Sequence, residues 1–278
     1  MYSIDLSDKL ALITGGTRGI GLACAKALAS AGAQCVMTYR WGSADEAQLL
    51  EEFDALDAPR PLLVMADVSH GEDTRALMQR IKQSHDGVDI FISNVAFAAR
   101  TPDLSSYRKR SLFTSLEYSA WPLVEYVEAI HDSFGRYPKH VVAISSDGID
   151  RCYPGYDFVA ASKSVLEVLT RYLGSHLGAE GCQVNAVRFG MVATESMEAM
   201  FGAEIWEFFA QQGMDRKDLL SAEECGRAVL ALCSGLLDAM HSEVITVDRA
   251  MAFEDNLMQR YDRWKRSLER DVKGKEND

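Results

Sequence analysis

The stretch from Leu10 to Gly21 reads LALITGGTRGIG and decides the fold class. Its first part is apolar enough to predict a buried strand, and the glycines that follow predict a tight turn into a helix. Gly15 permits the turn, Gly19 lets the backbone approach a pyrophosphate, and Gly21 allows the helix to pack closely on the strand. Because a helix N-terminus carries free N–H groups and a positive dipole end, this strand–turn–helix unit predicts a dinucleotide site.

Strand and helix patterns alternate along most of the remaining chain. The predicted strands are Leu10–Thr14, Gln34–Tyr39, Leu62–Ala66, Val88–Ser93, His140–Ser145, Cys182–Val187 and Glu243–Val247. The predicted helices are Ile20–Ala31, Ala44–Leu56, Asp73–Ser84, Ala120–Ser133, Val159–Leu177 and Ala222–Leu236. Repeated βα units with apolar strands predict an α/β fold. We expect a single-domain Rossmann fold over residues 1–253, a doubly wound parallel sheet of about seven strands with helices on both faces.

Composition excludes several classes of protein. The 278 residues are 47% hydrophobic and 25% charged, which predicts a globular chain. A net charge of −12 argues against nucleic acid or an anionic membrane as the partner. The N-terminus lacks signal-peptide features, and no apolar run approaches the roughly 20 residues of a membrane span. The six cysteines form no Cys-x-x-Cys pair, so we expect a cytoplasmic protein without a metal site.

The segment Thr194–Leu220 follows the sixth predicted strand and falls outside the alternation. Ligands of α/β sheets bind beyond the carboxyl ends of the strands. Flexible Met and aromatic side chains suit an apolar ligand, so we expect a substrate lid. Its predicted substrate contacts are Met197, Met200, Phe201 and Trp206. The alternative is a pair of short amphipathic helices that pack on the core.

The C-terminal segment, residues 254–278, is rich in charge. One helical stripe within it carries four large apolar residues: Leu257, Tyr261, Trp264 and Leu268. This spacing predicts an amphipathic tail, which either docks on a partner subunit or frays in solvent.

The end of the second predicted strand indicates which cofactor the site prefers. An NAD-selective site has Asp or Glu there to bind the ribose 2′-hydroxyl. This chain has Thr38-Tyr39-Arg40 and no acidic residue before Asp45. Arg40 and Arg18 favour a 2′-phosphate, and hence NADPH, unless both arginines are merely solvated. The predicted cofactor contacts in this half of the site are Gly15, Thr17, Arg18, Gly19, Ile20, Gly21, Tyr39 and Arg40.

Further motifs follow the later strands. They are Asp67-Val68, Ser93-Asn94-Val95-Ala96, Ser145-Ser146, Ala160-Ala161-Ser162-Lys163, and Asn185-Ala186-Val187 with Gly190 and Thr194. With the glycine turn, they resemble the short-chain dehydrogenase/reductase family over residues 7–250. The cofactor contacts that the resemblance implies are Asp67 and Val68 near the adenine, Asn94 and Ala96 along the cofactor, Gly190 and Val192 beside the nicotinamide, and Thr194 and Lys163.

The catalytic motif departs from the family's usual pattern. Most members carry Tyr-x-x-x-Lys, but four residues before Lys163 this chain has Val159, which cannot donate a proton. Tyr156 lies seven residues before Lys163, close to two helical turns, so both can share one face. This spacing, with an ordinary glycine turn, resembles the enoyl-acyl-carrier-protein reductase III subgroup. Ser146 matches the family's catalytic serine, and Tyr153 is a second candidate donor that we expect at the substrate.

The displaced tyrosine suits a particular reaction. In ketone reduction, hydride lands on the carbon bonded directly to oxygen, roughly 1.2 Å away. In enoyl-thioester reduction it lands on the β-carbon and charge develops on an oxygen two carbons further along, so the donor must stand further away. We expect NADPH-dependent reduction of enoyl thioesters, on fatty or polyketide chains held by acyl carrier protein. Tyr156 would stabilise the enolate, while Lys163 would orient the ribose and lower the tyrosine's pKa.

Two other functions fit the same residues. A carbonyl reductase of this fold would use Ser146 with Tyr153 or Tyr156. A non-catalytic binding protein would have kept the fold after losing tyrosine at position 159. The sequence assigns no donor for the α-carbon proton, and Ser115 stands where many ketoreductases have a helical asparagine for a proton relay.

Two surfaces are candidates for contacts with other proteins. Arg108, Lys109 and Arg110 form the densest basic cluster. A charge run is usually a solvated face, and the alternative is that this cluster docks an acidic carrier protein. The resemblance implies a homodimer or homotetramer that pairs through the helices Ala120–Ser133 and Val159–Leu177.

Overall fold

The computed structural model describes residues 3–40, 44–255, 258, 261 and 265. Within this part of the chain, the sheet consists of β1 (Leu10–Ile13), β2 (Gln34–Tyr39), β3 (Leu62–Met65), β4 (Ile90–Ser93), β5 (His140–Ser146), β6 (Gln183–Phe189) and β7 (Val244–Val247). The strands are parallel and lie in the order β3-β2-β1-β4-β5-β6-β7. The predicted doubly wound parallel sheet of a single Rossmann-type domain is confirmed.

The described part of the chain also forms helices. They are α1 (Gly19–Ser30), α2 (Glu46–Asp54), α3 (Gly71–Lys82), α4 (Lys109–Ser119), α5 (Trp121–Phe134), α6 (Asp157–Leu177), α7 (Glu195–Phe201), α8 (Ile205–Gln211), α9 (Ala222–Cys233) and α10 (Met251–Glu254). One buried apolar cluster joins the sheet to α1 and α9, and a second joins it to α3, α5 and α6. Helices α1 and α9 are so close that a Cβ atom at Gly226 would lie 2.3 Å from the Ala23 carbonyl oxygen.

The chain reverses its direction of winding between β1 and β4, which are neighbours in the sheet. From β1 the chain winds outward to β2 and β3, and from β4 it winds outward to β5, β6 and β7. The loops after β1 and β4 therefore diverge and leave a crevice at the carboxyl edge of the sheet. The glycine turn and residues 94–96 follow these two strands, so the fold places the predicted cofactor residues at this crevice.

Helix α4 is an element that the apolar pattern did not predict. Its fully buried residues are Ser115 and Ser119, and Leu116 and Tyr118 pack, partly buried, against the apolar core. Ser115 donates a hydrogen bond to the Ser111 carbonyl oxygen at 3.0 Å, which satisfies the hydroxyl inside the helix. Helix α6 begins at Asp157, two residues before the predicted start at Val159.

The segment after β6 folds into α7, α8 and a 3₁₀ turn at Arg216–Asp218. Met197, Phe209 and Leu219 form a small buried cluster of their own, apart from the two clusters of the sheet. The segment therefore forms two short helices with a local core of their own, and its role as a substrate lid stays a prediction.

Most of the predicted C-terminal tail lies outside the described residues, including Leu257, Trp264 and Leu268. Helix α10 ends at Glu254, where the predicted tail begins. Across the described residues, no helix combines the length and the apolarity that a membrane crossing requires.

Candidate active site

The glycine turn adopts the backbone that its sequence requires. Gly15 and Gly19 have φ angles of +62° and +54°, in the left-handed region that favours glycine. A Cβ atom at Gly21 would lie 2.3 Å from the Gly15 carbonyl oxygen and 2.6 Å from the Asn94 amide nitrogen. The predicted close packing at Gly21 is therefore present. A Cβ atom at Gly19 would meet nothing within 4 Å, so the turn is open on the side where a pyrophosphate would approach.

Asn94 holds the glycine turn in place from the neighbouring strand. Its side-chain Nδ2 donates to the carbonyl oxygens of Thr14 at 3.0 Å and Gly15 at 3.1 Å. Its backbone N–H donates to the Thr14 hydroxyl at 3.0 Å. Asn94 thus lies at the predicted cofactor crevice, where it braces the turn, and Ala96 lies exposed two residues further on.

The predicted ribose and adenine residues are in direct contact. Arg40 Nε lies 3.2 Å from Asp67 Oδ2, and the guanidinium is 5.9 Å from the centre of the Tyr118 ring. The Tyr118 hydroxyl donates to the same Asp67 oxygen at 3.0 Å. Burial opposes ionisation of Asp67, but hydrogen bonds from Ser69 and Tyr118 and the charge of Arg40 lower its pKa overall. Tyr39 lies beside this group and donates to Glu46. The sequence motifs did not reveal the pairing of Arg40 with Asp67.

The other end of the crevice is formed by the loop after β6. A Cβ atom at Gly190 would lie 2.7 Å from the Asp248 Cβ, so this close approach requires glycine. Val192 is buried and forms an isolated parallel bridge with Leu220. The backbone N–H of Thr194 donates to the Val192 carbonyl oxygen at 2.8 Å, just before α7 begins. These residues occupy the carboxyl edge of the sheet, as expected for residues beside the nicotinamide.

Together, these features fit a nicotinamide dinucleotide. The open face at Gly19, the free N-terminus of α1 and the glycine at position 190 leave backbone groups accessible along one crevice. Arg18, which precedes α1, is exposed at the same end. The residues present would hold the phosphates at α1, the ribose near Arg40 and the nicotinamide near Gly190.

The structure brings Tyr156 and Ser146 together. The Tyr156 hydroxyl donates to Ser146 Oγ at 3.2 Å, and the Gly148 N–H donates to the same oxygen at 3.2 Å. Tyr156 is the residue immediately before α6, with φ −97° and ψ 5°, rather than part of the helix. Tyr156 therefore caps the start of α6, and its expected alignment with Lys163 on one helical face stays a prediction.

Lys163 is buried on α6. Its Nζ donates to the Ile144 carbonyl oxygen at 2.6 Å. Burial lowers the pKa of Lys163 to about 8, against the opposing charge of Glu167. Burial raises the pKa of Tyr156, although its hydrogen bond with Ser146 acts in the other direction. Lys163 is not among the groups that shift this pKa, so its expected lowering of the tyrosine pKa stays a prediction.

A buried ionic network lies behind the catalytic residues. Glu167, one helical turn after Lys163, accepts hydrogen bonds from the Ser145 hydroxyl at 2.7 Å and from Arg188 Nε at 2.9 Å. A second contact joins Arg188 Nη2 to Glu167 at 2.5 Å, and Arg188 also pairs with Asp150. Sequence reasoning missed this network. Its signal was a charged residue in the interior of β6 and another on the buried face of α6.

Asp147 and Tyr153 form a second pair that sequence reasoning missed. The Tyr153 hydroxyl lies 3.0 and 2.9 Å from the two carboxylate oxygens of Asp147. Burial raises the pKa of Asp147, against the hydrogen bond from Tyr153 and the charge of Arg151. The Tyr153 ring packs edge-on against the rings of Tyr156 at 5.7 Å and Phe201 at 6.2 Å. The position of Asp147 directly after Ser146 was the sequence signal that could have revealed this pair.

The four lid residues predicted at the substrate have different surroundings. Phe201 contacts Tyr153, whereas Met197 and Met200 are buried. The Trp206 indole donates to Glu198 at 2.5 Å, and the Arg216 guanidinium lies 3.9 Å from the indole ring centre. Phe201 therefore joins the lid to the catalytic residues, and Trp206 is held in a contact between α7, α8 and the following turn.

Comparisons with known proteins identify the family. A family model described as enoyl-(acyl carrier protein) reductase matches residues 15–251. The 1-cyclohexenylcarbonyl-CoA reductase of Streptomyces collinus is 31% identical over 199 residues, covering 70% of this chain and 69% of that protein. The enoyl-acyl-carrier-protein reductase (NADH) of Nostoc sp. is 27% identical over 253 residues, covering 88% and 96%.

A solved structure gives the same result. A short-chain dehydrogenase from Burkholderia cenocepacia J2315, crystallised in complex with NADP, has a TM-score of 0.76 and 25% identity and covers 88% of this chain and 98% of its own. The chain belongs to the short-chain dehydrogenase/reductase family, in its enoyl-(acyl carrier protein) reductase group. A nicotinamide dinucleotide is therefore the class of cofactor for the candidate site described above.

Proposed function

We propose that this protein uses NADPH to reduce the α,β double bond of an enoyl thioester. The observation that carries the proposal is the position of Tyr156, whose hydroxyl reaches Ser146 although Val159 fills the family's usual tyrosine position. Val159 is buried and has no hydroxyl, so the displaced phenol is the donor that remains beside Ser146. Relatives whose names describe enoyl reduction support the same reaction.

The roles of the side chains follow from the charge that develops. The bound cofactor supplies a hydride to the β-carbon of the thioester. Tyr156 then donates a hydrogen bond to the enolate oxygen, while Ser146 orients the phenol. Lys163 holds the nicotinamide ribose with its ammonium group. The lid segment, with Phe201 facing Tyr153, excludes water from the acyl chain.

The preference for NADPH is supported by Arg40 and Arg18 at the ribose end of the crevice. A 2′-phosphate would add a second anion beside Arg40, which already contacts Asp67. Arg40→Gln should therefore weaken NADPH binding by about tenfold and leave NADH binding within twofold, consistent with loss of one charge-assisted contact of about 1.4 kcal/mol. Fluorescence titration of both cofactors measures this. An NADH preference in the unaltered protein contradicts the assignment.

The reaction itself is tested with two thioesters. Crotonyl-CoA and acetoacetyl-CoA are compared as substrates with NADPH, and Tyr156→Phe and Tyr137→Phe are the test and control variants. Tyr137 precedes β5 and Ser146 ends that strand, so the two residues lie at opposite edges of the sheet. We expect turnover of crotonyl-CoA that Tyr156→Phe lowers by about 10²-fold. Turnover of acetoacetyl-CoA alone refutes the proposal.

A carbonyl reductase is the second candidate, and the Ser146–Tyr156 hydrogen bond favours it. A serine paired with a tyrosine also polarises a ketone oxygen, and the same hydroxyls at 3.2 Å would serve that reaction. The acetoacetyl-CoA measurement decides between the two. A non-catalytic role would predict turnover of neither thioester.

Self-association and an acyl carrier partner extend the proposal. Helices α5 and α6 expose large apolar residues, namely Trp121, Val165, Val168 and Tyr172. We propose that a second copy of the chain covers this surface, giving a homodimer or homotetramer. The acyl chain would arrive on an acidic carrier protein at the basic residues 108–110, which open α4. The net charge of −12 supports a protein that does not act on nucleic acid or at an anionic membrane surface.

A further inference from the structure

The pair formed by Asp147 and Tyr153 lies inside the catalytic cluster. Asp147 follows Ser146 directly, and its side chain is 4% exposed. The Tyr153 hydroxyl reaches both of its carboxylate oxygens at 3.0 and 2.9 Å. The Tyr153 ring lies between Tyr156 and the lid residue Phe201, with centroid distances of 5.7 and 6.2 Å. A buried acid therefore stands behind a second phenol at the place where the acyl chain would enter.

The two tyrosines are held at a fixed separation by Gly148. A Cβ atom at this position would lie 2.6 Å from Tyr156 Cε1 and 3.0 Å from Tyr153 Cδ2. Both rings therefore pack on the glycine backbone. One phenol is tied to Ser146 and the other to Asp147, so the two hydroxyls have separate partners on consecutive residues. This arrangement gives the site two donors with distinct positions.

Several groups face the Asp147 carboxylate. Arg151 Nη1 lies 3.5 Å from Oδ2, Asp248 contributes a repulsive charge, and Gly190 is close enough that its Cβ would lie 3.6 Å from Oδ2. The carboxylate thus lies between Tyr153 and the loop beside the nicotinamide end of the crevice. Burial and Asp248 favour the protonated acid, and Tyr153 and Arg151 favour the carboxylate.

We propose that Tyr153 is the acid that protonates the α-carbon and that Asp147 returns the proton to it. The inference rests on the proposed enoyl reduction, which needs one proton at the α-carbon after hydride has reached the β-carbon. Tyr156 holds the enolate oxygen, and Tyr153, on the lid side, faces the acyl chain. One phenol therefore donates a hydrogen bond to the enolate oxygen, and the other donates a proton to the α-carbon.

The proton balance of this step is complete. The enolate electron pair forms the new C–H bond at the α-carbon while the O–H bond of Tyr153 breaks and leaves a phenolate. The Asp147 carboxylate takes a proton from water, which leaves as hydroxide, and passes that proton to the phenolate. The thioester leaves as the saturated product, and both side chains are restored.

The experiment compares Tyr153→Phe and Asp147→Asn with Tyr137→Phe as the control. Each variant removes one hydroxyl or one proton-carrying oxygen while keeping the size of the side chain. Crotonyl-CoA turnover is measured in H₂O and D₂O, together with the stereochemistry of deuterium at the α-carbon. Infrared difference spectra of the unliganded protein follow the C=O stretch of a protonated carboxyl, independently of activity. NADPH affinity and thermal unfolding establish that the variants are folded.

We expect kcat to fall about 10²-fold in both test variants, with KM changed less than threefold. The solvent isotope effect should rise in Tyr153→Phe, since protonation becomes the slow step. In D₂O this variant should add deuterium to both faces of the α-carbon, so that the stereochemical preference is lost. On lowering the pH, the C=O band of the protonated Asp147 carboxyl should appear at a higher pH than that of an ordinary aspartic acid, because burial raises its pKa, and the band should be absent from Asp147→Asn.

Three results would overturn this assignment. In the first, the unaltered protein turns over crotonyl-CoA normally, and Tyr153→Phe has a kcat and an isotope effect within twofold of it. This result refutes the role of Tyr153 and leaves the proposed function standing. Loss of thermal stability with unchanged isotope effect and stereochemistry assigns a merely structural role to the pair. No crotonyl-CoA turnover by the unaltered protein refutes the proposed function and this step together.

Discussion

Replacing Lys163 by Met should stabilise the unliganded protein at neutral pH. Burial lowers the pKa of this lysine from its ordinary value of 10.5 to about 8. Each pKa unit is worth about 1.4 kcal/mol, so the charged amine destabilises the folded state by about 3 kcal/mol below pH 8. Methionine has a similar length and no charge, but it loses the hydrogen bond to the Ile144 carbonyl oxygen, worth about 1 kcal/mol. The expected net gain at pH 7 is about 2 kcal/mol.

The sign of this effect should change with pH. Below pH 8 the lysine is protonated in both the folded and the unfolded chain, and the full penalty is present. Between pH 8 and 10.5 the unfolded chain binds a proton that the folded chain has lost, so the unaltered protein gains stability as the pH rises. Above pH 10.5 the amine is neutral in both states. There the variant should be less stable by about 1 kcal/mol, since only the lost hydrogen bond remains.

Urea unfolding of both proteins at pH 7 and pH 10, at one protein concentration, measures the difference. NADPH titration of the same samples should show weaker binding by Lys163→Met at pH 7, because the cation that holds the ribose is gone. A difference in unfolding free energy that stays constant between pH 7 and pH 10 would refute the reasoning. So would a variant that is less stable than the unaltered protein at pH 7.

Three further changes test other parts of the structure. Gly21→Ala places a Cβ atom 2.3 Å from the Gly15 carbonyl oxygen, so NADPH affinity should fall at least tenfold, about 1.4 kcal/mol, by fluorescence titration. Glu167→Gln leaves Arg188 with one fewer buried anion, which should lower the unfolding free energy by about 3 kcal/mol in urea titration. Alanine at residues 108–110 should raise KM about tenfold for a carrier-bound enoyl substrate and leave KM for crotonyl-CoA unchanged, because charge steers the carrier.

Each of these changes has a control or a contradicting outcome. Unchanged NADPH affinity in folded Gly21→Ala would contradict the tight packing of the turn. Glu180→Gln, at an exposed position, is the control for Glu167→Gln and should change stability by less than about 0.5 kcal/mol. Equal changes in KM for carrier-bound and CoA substrates would assign residues 108–110 to a solvated surface.

The fold could be predicted because its signals are local. Strand β2 has the predicted bounds Gln34–Tyr39, and the glycine turn has the backbone that Gly15 and Gly19 require. Helix α4 escaped prediction because its fully buried positions are Ser115 and Ser119, and apolar periodicity cannot register buried hydroxyls. Patterns of apolar residues thus identify elements whose inward face is apolar and miss those that satisfy polar groups internally.

The candidate site was predictable residue by residue but not as a set of contacts. Arg40 and Asp67 were assigned separate roles, yet they form one ion pair across neighbouring strands. Asp147 and Tyr153 are six residues apart in an irregular turn, where no periodicity relates one side chain to another. Spacing along a helix can place two residues on one face, whereas a loop after a strand can direct its side chains anywhere. Contacts between side chains in such loops can be identified only from a three-dimensional structure.

The burial of Lys163 also bears on whether the chain is an enzyme. A protein that only kept the fold would gain about 2 kcal/mol by replacing this lysine with an apolar residue, once the lost hydrogen bond is counted, and this is a large fraction of the 5–15 kcal/mol that stabilises a typical domain. Burial also raises the pKa of Asp147 and so opposes ionisation of its carboxyl. Val159 demonstrates that this neighbourhood accepts a buried apolar residue. Since Lys163 and Asp147 instead remain ionisable next to Tyr156 and Ser146, their unfavourable burial is best explained by a reaction that uses their protons and charge.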